Sequence, residues 1–437
     1  MQDRSERRQE VARGLTWLAG FAATALLVVP KGLSVFAALM CLATLLALPD
    51  ALRDRRAVPR ALYALLAVAV FVIAVAATSM WRGDARLAEL DNPSRTLLLP
   101  WCAWLAWVTR VRLSGLWYGA LVGLLVASAV SIAQSALGMD RAGSDANPIV
   151  FANAVLALSV VAVFCRPADE RGRMRLLVLA AIVLANVAVT LSGSRGVLPG
   201  LGLVVLMWLV GTAPRRRWWR LGGAAVVVAA LFVAMWTVPW LSTQFRLDQL
   251  HADVAGLSQG QVDKPISARI ALLSVAWDAF REAPLTGTGI GGFAERIDDS
   301  RYCLGRERHF CGLQHAHNDI AQWGATMGLF GIAALAALYL VPLLIAARQI
   351  RQARLDRLDR LDRLDRLDRL DRLDRLDRPR GAPWTAGMLA ATYLVSGLTQ
   401  SMFSHALSTS AFVLLAGLLL GSGMVASRGS SETHSHS

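Results

Sequence analysis

The feature that most constrains this chain is its succession of apolar runs long enough to cross a bilayer. About 30 Å of hydrocarbon takes about 20 predominantly apolar residues in a helix. Twelve candidate runs can be marked, over residues 15–30, 33–49, 61–80, 96–109, 113–137, 148–165, 176–193, 196–212, 221–241, 318–347, 385–403 and 408–427. The expected fold is therefore an all-α integral membrane protein of about twelve transmembrane helices. Composition agrees, since 55% of the 437 residues are hydrophobic, outside the range of ordinary soluble domains. The first run follows the charged "MQDRSERRQEVARG" and is not followed by a small-residue cleavage pattern, so it reads as a retained helix and not a signal peptide.

Orientation follows from the short loops, because Arg and Lys are retained on the cytoplasmic side. "DALRDRRAVPR", "RPADERGRMR" and "APRRRWWR" carry four Arg each, whereas "MDRAGSDANP" and the turn at Arg195 carry one each. "WRGDARLAELDNPSR" is richer, but Asp84, Glu89 and Asp91 balance its three Arg. Both termini are then expected in the cytoplasm of a bacterial inner membrane. The first nine spans occupy 1–241, a large periplasmic loop 242–316, the tenth span 317–347, a cytoplasmic segment 348–384, the last two spans 385–427 and a cytoplasmic tail 428–437. A pI near 10.7 suggests nucleic acid at first sight. The excess is Arg at helix ends, however, and no basic stripe interleaved with aromatics marks a nucleic-acid surface.

Between spans ten and eleven the triplet "LDR" repeats eight times from Leu355 to Arg378. Its leucines spiral round a helix without forming one stripe, and Asp and Arg four residues apart can pair, so a solvated helical extension is expected. Cys41, Cys102 and Cys165 fall in or beside apolar runs and read as packing residues. Cys303 and Cys311 lie in the outside loop, where an oxidising compartment favours a disulfide closing "CLGRERHFC". In "PISARIALLSVAWDAFREAP", residues Ile266, Ile270, Leu273, Trp277 and Phe280 recur at helical spacing. They give an amphipathic helix lying on the membrane or on the bundle, with Arg269 bordering its apolar face. The following "LTGTGIGGF" resembles a nucleotide loop but follows no strand, and reads as a hinge or as close backbone packing.

"GLQHAHNDIAQWGATMGLFG" puts His315 and His317 just ahead of the tenth span, at its outer mouth. "HNDIAQWGATMGLFG", together with "SGSRG" at Ser192–Gly196 and "SARIALLSVAWDAF…PLTGTGIGGF" at Ser267–Phe293, resembles the O-antigen ligase family. The motifs cover about Thr190 to Gly331, and the layout of spans around one large loop is similar along the whole chain. The resemblance implies a GT-C-like, inverting, metal-independent glycosyltransferase without a cofactor. It would move O-antigen from undecaprenyl diphosphate onto a lipid A core hydroxyl at the periplasmic face. O-antigen polymerases and protein O-oligosaccharyltransferases share much of the pattern. Polymerases of the better-known type carry Gly eleven residues after a loop Arg; here Leu206 and Phe280 stand at that distance from Arg195 and Arg269, which favours ligase. A polyprenyl-linked glycan flippase is the rival from another class.

The chemistry suits these side chains. A diphosphate leaving group calls for permanently charged, forked donors, for which Arg195 and Arg269 are the candidates, with Arg82, Arg86 and Arg95 behind them. The acceptor hydroxyl needs a base whose ordinary pKa lies near working pH, hence His317, with His315 as the alternative. Asn318 and Asp319 suit a helix start, and Asn318 is a further candidate for binding substrate. A metal held by His315, His317 and Asp319 is the less favoured reading. The expected partners are the lipid-linked donor, the lipid A core acceptor and membrane lipids.

Overall fold

The computed structural model of the chain describes residues 2–53, 58–81, 86–143, 147–167, 172–211, 222–223, 265–303, 309–361 and 381–426. These residues are helical, with turns between and no strand among them. The helices are α1 (Gln2–Ala25), α2 (Gly32–Arg53), α3 (Arg60–Met80), α4 (Leu98–Thr109), α5 (Ser114–Ala136), α6 (Pro148–Phe164), α7 (Gly172–Ser192), α8 (Leu198–Gly211), α9 (Pro265–Glu282), α10 (Gly292–Asp298), α11 (Asp319–Leu361), α12 (Ala382–Gly397) and α13 (Ala406–Ala426). Each expected apolar run falls on one of these, except 221–241, which lies outside the described residues apart from 222–223. Six are long and apolar enough to cross a membrane: Gly32–Arg53, Arg60–Met80, Ser114–Ala136, Met174–Ser192, Asp319–Asp356 and Ala406–Val425. The protein is a multi-pass helical membrane protein, with Pro148–Phe164 and Arg195–Val210 as shorter apolar helices. Helix α11 runs into the LDR repeat as far as Leu361, and the rest of the repeat lies outside the described residues.

Helix α6 sits at the centre. Asn147 caps it by accepting from the Ile149 amide, Pro148 occupies its first turn, and every residue from Val150 to Phe164 is buried. A helix apolar on all sides is stable only when surrounded. Helices α5, α7, α8, α12 and α13 pack against it, while α13 also runs along α4, and α11 along α3 and α12.

Hydrogen bonds sort the turns into two ends. At one end Arg8 bonds Asp50 (2.9 Å), Arg13 Nε donates to the Thr109 carbonyl (2.9 Å) and the Gly381 amide to that of Phe164 (2.8 Å). At the other, Asn92 donates to the Phe403 carbonyl, Thr399 Oγ1 to that of Gly196 (3.1 Å) and Asn318 Nδ2 to that of Leu398 (2.8 Å). The turns at 87–97, 193–197, 315–318 and 398–405 therefore meet.

Helix α11 is broken near its start. Gly328 has φ 63° and ψ −151°, a conformation closed to residues with a Cβ. The glycine-rich stretch fills the break. The Thr288 and Gly289 amides donate to the Ala325 and Thr326 carbonyls (2.9 and 3.0 Å), and the Leu329 amide donates to that of Pro284 (2.8 Å). A Cβ on Gly287 would lie 2.2 Å from the Thr326 carbonyl carbon, and one on Gly328 2.4 Å from that of Leu285. Of the two readings of "LTGTGIGGF", the structure takes close backbone packing.

Helix α9 is apolar on two sides. Ala268, Ala271, Leu272, Val275, Ala276 and Ala279 are buried in a second core with Phe293 and Ile297 of α10. Ile270, Leu273 and Trp277 face outward, Trp277 58% exposed and stacked on Phe280. Three residues of the expected apolar stripe, Ile270, Leu273 and Trp277, thus face away from the protein.

Candidate active site

The turn before α11 is fixed from both flanks. Asn318 caps the helix, its Oδ1 accepting from the Ala321 amide (2.9 Å), while Gln322 Oε1 reaches back to the Ala316 amide (2.7 Å). Between these bonds His317 has φ 52°, in the left-handed region. That costs a non-glycine residue roughly 1–2 kcal/mol, and such strain persists where neighbouring bonds determine it.

Asp319 does not join the histidines. It is buried, its Oδ2 accepting from Tyr339 OH (2.8 Å) and its Oδ1 from the Phe403 amide (3.3 Å). The carboxylate ties α11 to the loop between α12 and α13, so the run His315, His317, Asp319 does not converge on one point. Among the described residues no group of three His, Cys, Asp or Glu is placed to hold a metal.

A third histidine does come close. His405, from the loop ahead of α13, stands edge-on to His315, the ring centroids 5.1 Å apart at 82°. Burial, then the charges of His405 and His317, holds His315 down at about 4. Burial, then the charges of Arg269 and His405, holds His317 down at about 4. Burial lowers His405 too. All three imidazoles are therefore neutral at neutral pH, with a lone pair free to accept a proton. Arg269 lies on the outward side of α9, near enough to His317 to act on its titration, and desolvation lowers its own pKa.

Arg195 opens the turn Arg195–Val197 between α7 and α8. The next residue, Gly196, receives the Thr399 hydroxyl, one residue beyond the Leu398 carbonyl that holds Asn318. The arginine turn and the histidine turn thus dock on consecutive residues of one loop. Arg141 braces the same turn, donating from Nε to the Ser192 carbonyl (3.0 Å) and from Nη2 to Ser194 Oγ (3.3 Å). Arg86 is exposed ahead of the turn Leu87–Leu90, and Arg82 lies outside the described residues. Arg95 pairs with Asp91 (2.7 Å) and reaches Ser410 Oγ (3.1 Å), a tie to α13. Cys303 and Cys311 are joined in a disulfide.

Sequence reasoning missed His405 and Arg141. The signal for His405 was available as "TQSMFSHALSTS", a polar cluster between two apolar runs with no reason to be polar unless it meets something.

Fold and site together define a multi-pass helical membrane protein with neutral histidines and arginines gathered at one end of its bundle. Residues 176–336 match the model of a family described as O-antigen ligase, and this match places the segment in the O-antigen ligase family. No curated protein matches the chain. The family carries glycosyltransferase activity of the ligase or polymerase kind, with polysaccharide and membrane-lipid substrates. The matched segment holds Arg195, Arg269, His315 and His317, and leaves out α3, the 87–97 turns, α12, α13 and His405.

Proposed function

We propose that the protein is an O-antigen ligase of GT-C type, with twelve crossings and its site at the periplasmic face. It transfers polysaccharide from undecaprenyl diphosphate to a hydroxyl of lipid A core. The observation that carries this reading is the docking of the Arg195 turn and the His317 turn on Leu398 and Thr399, with Arg269 beside His317, inside a segment of ligase-family sequence.

Neutral His317 takes the proton of the acceptor hydroxyl as its oxygen bonds to the anomeric carbon. The carbon's bond to the diphosphate oxygen breaks with its electron pair, and attack from the opposite face inverts that carbon. Arg195 and Arg269 hold the growing diphosphate charge, each well-placed donor contributing about 3 kcal/mol to the transition state. Permanent charges suffice for this, and the chemistry calls for no metal or cofactor. Arg86, exposed ahead of the turn Leu87–Leu90, attracts the anionic donor.

Lipopolysaccharide from a deletion strain tests the reading. Core without long-chain O-antigen, with lipid-linked polymer accumulating in the periplasmic leaflet, is the expected result. Single repeats on the core would indicate a polymerase, donor trapped on the cytoplasmic leaflet a flippase, and normal lipopolysaccharide would end the proposal.

A further inference from the structure

Along its buried length from Val150 to Phe164, helix α6 is apolar but for Asn153 and Ser159. Ser159 is satisfied within its own helix, its hydroxyl donating to the Leu156 carbonyl (2.7 Å). Asn153 reaches out instead, Nδ2 donating to Gln400 Oε1 in the loop between α12 and α13. Both side chains are buried, 1% and 3% exposed. Withdrawing two amides from water costs more than placing apolar side chains there, so packing alone does not account for the pair.

The Arg195 turn meets this pair. A Cβ on Gly196 would lie 3.1 Å from Gln400 Cγ and closer still to its Nε2. The backbone one residue after Arg195 therefore rests directly on the Gln400 side chain. The other flank of the turn is tied to α6, where Ser194 Oγ donates to the Pro148 carbonyl (3.1 Å). The turn is thus carried by two supports, the start of α6 and the loop after α12, and the Asn153–Gln400 bond fixes the distance between them. Of three consecutive loop residues, Leu398 fastens the histidine turn, while Thr399 and Gln400 hold the arginine turn.

We propose that Asn153 and Gln400 are positioning residues that set the place of Arg195, and through it the affinity for the diphosphate of the donor. This rests on the role given to Arg195 in the proposed reaction. Both residues lie outside the family-matched segment. Gln400 fills the space that a side chain at position 196 would need, so the two positions depend on each other.

The test measures binding of undecaprenyl diphosphate to purified full-length protein in detergent, with transfer recorded separately. Gly196→Ala should weaken binding at least about tenfold, the scale of one lost hydrogen bond to a charged group. Gln400→Met keeps the length of the side chain but loses the bond to Asn153, and should weaken binding about threefold. Gly196→Ala combined with Gln400→Ala should bind about threefold or more tighter than Gly196→Ala alone, because the shortened side chain makes room for the new methyl and touching sites do not add. Gly202→Ala, with open space around it, should bind as wild type. A pair that only holds helices together predicts lower melting temperatures with unchanged affinity in the folded protein. Wild-type affinity in Gly196→Ala, or a double variant no tighter than Gly196→Ala, therefore overturns the assignment. If Gly196→Ala does not fold, Gln400→Met decides: weakened binding upholds the pair and wild-type affinity overturns it. Wild-type protein that binds the carrier and shows this coupling but transfers nothing fails the ligase reading and leaves the positioning pair standing.

Discussion

Asn318 is bonded through both ends of its amide, Oδ1 accepting from the Ala321 amide and Nδ2 donating to the Leu398 carbonyl. One side chain thus starts α11 and fastens the histidine turn to the loop on which the Arg195 turn also rests. The two bonds separate by substitution. Asn318→Asp keeps the cap but sets a carboxylate against a carbonyl, whereas Asn318→Ala loses both. Loss of the cap costs about 1 kcal/mol of stability, so Ala should melt lower than Asp. Transfer should fall in both, because both lose the tether. Full activity in Asn318→Asp, with a wild-type acceptor KM, would mean that the Leu398 bond does not position the site.

The left-handed backbone of His317 makes a further distinction. At φ 52° glycine is unstrained while alanine is not, by about 1 kcal/mol. His317→Gly should therefore unfold at a higher temperature than His317→Ala, with both inactive. Added imidazole should restore some transfer to His317→Gly. Equal melting of the two variants would contradict the backbone assignment.

The lowered histidines set the pH profile. His317 titrates near 4 in the free enzyme, so kcat/KM should stay level from neutrality down to about pH 5 and fall only nearer 4. A fall centred at 6.5 would contradict its burial. Arg269→Gln removes a positive neighbour, and so should move the acid limb upward, short of 6.5 because burial remains the larger cause. Stability follows by linkage. The unfolded histidines bind protons near 6.5 and the folded ones do not, so their contribution to stability is full above 6.5 and drains as pH falls toward 4. The difference in melting temperature between wild type and His315→Gln, followed across that range, reads it.

The seam between the glycine stretch and α11 should be intolerant of side chains. Gly328→Ala places a Cβ 2.4 Å from the Leu285 carbonyl carbon and Gly287→Ala one 2.2 Å from that of Thr326, each at positive φ. Each should cost upward of about 2 kcal/mol and lower transfer, by shifting the first half of α11 that carries the histidine turn. Gly312→Ala, with open space around it, is the matched control. Differential scanning fluorimetry in detergent separates the three.

Much of this was legible in the sequence, because membrane helices announce themselves by length and the histidine motif by its neighbours. The apolar runs located the helices, "CLGRERHFC" put its two cysteines eight residues apart, and "HND" gave the cap. The two sides of α9 were not distinguishable. Ile270, Leu273 and Trp277 form the more hydrophobic stripe, yet the side that packs is the alanine-rich one, because small residues let the helix approach α10 and α11 closely. His405 stands 88 residues after His317 with no motif of its own, and only packing of α12 and α13 against α11 brings it to His315.

The central claim is that His317 performs base chemistry on an acceptor while the arginines hold the donor. The most direct measurement is transfer by purified His317→Ala, with EDTA present and donor binding recorded separately. The account predicts that wild-type protein transfers in EDTA, that His317→Ala binds the lipid-linked donor as wild type does, and that its transfer falls at least a hundredfold. Full transfer by His317→Ala, or loss of wild-type transfer in EDTA, would contradict it.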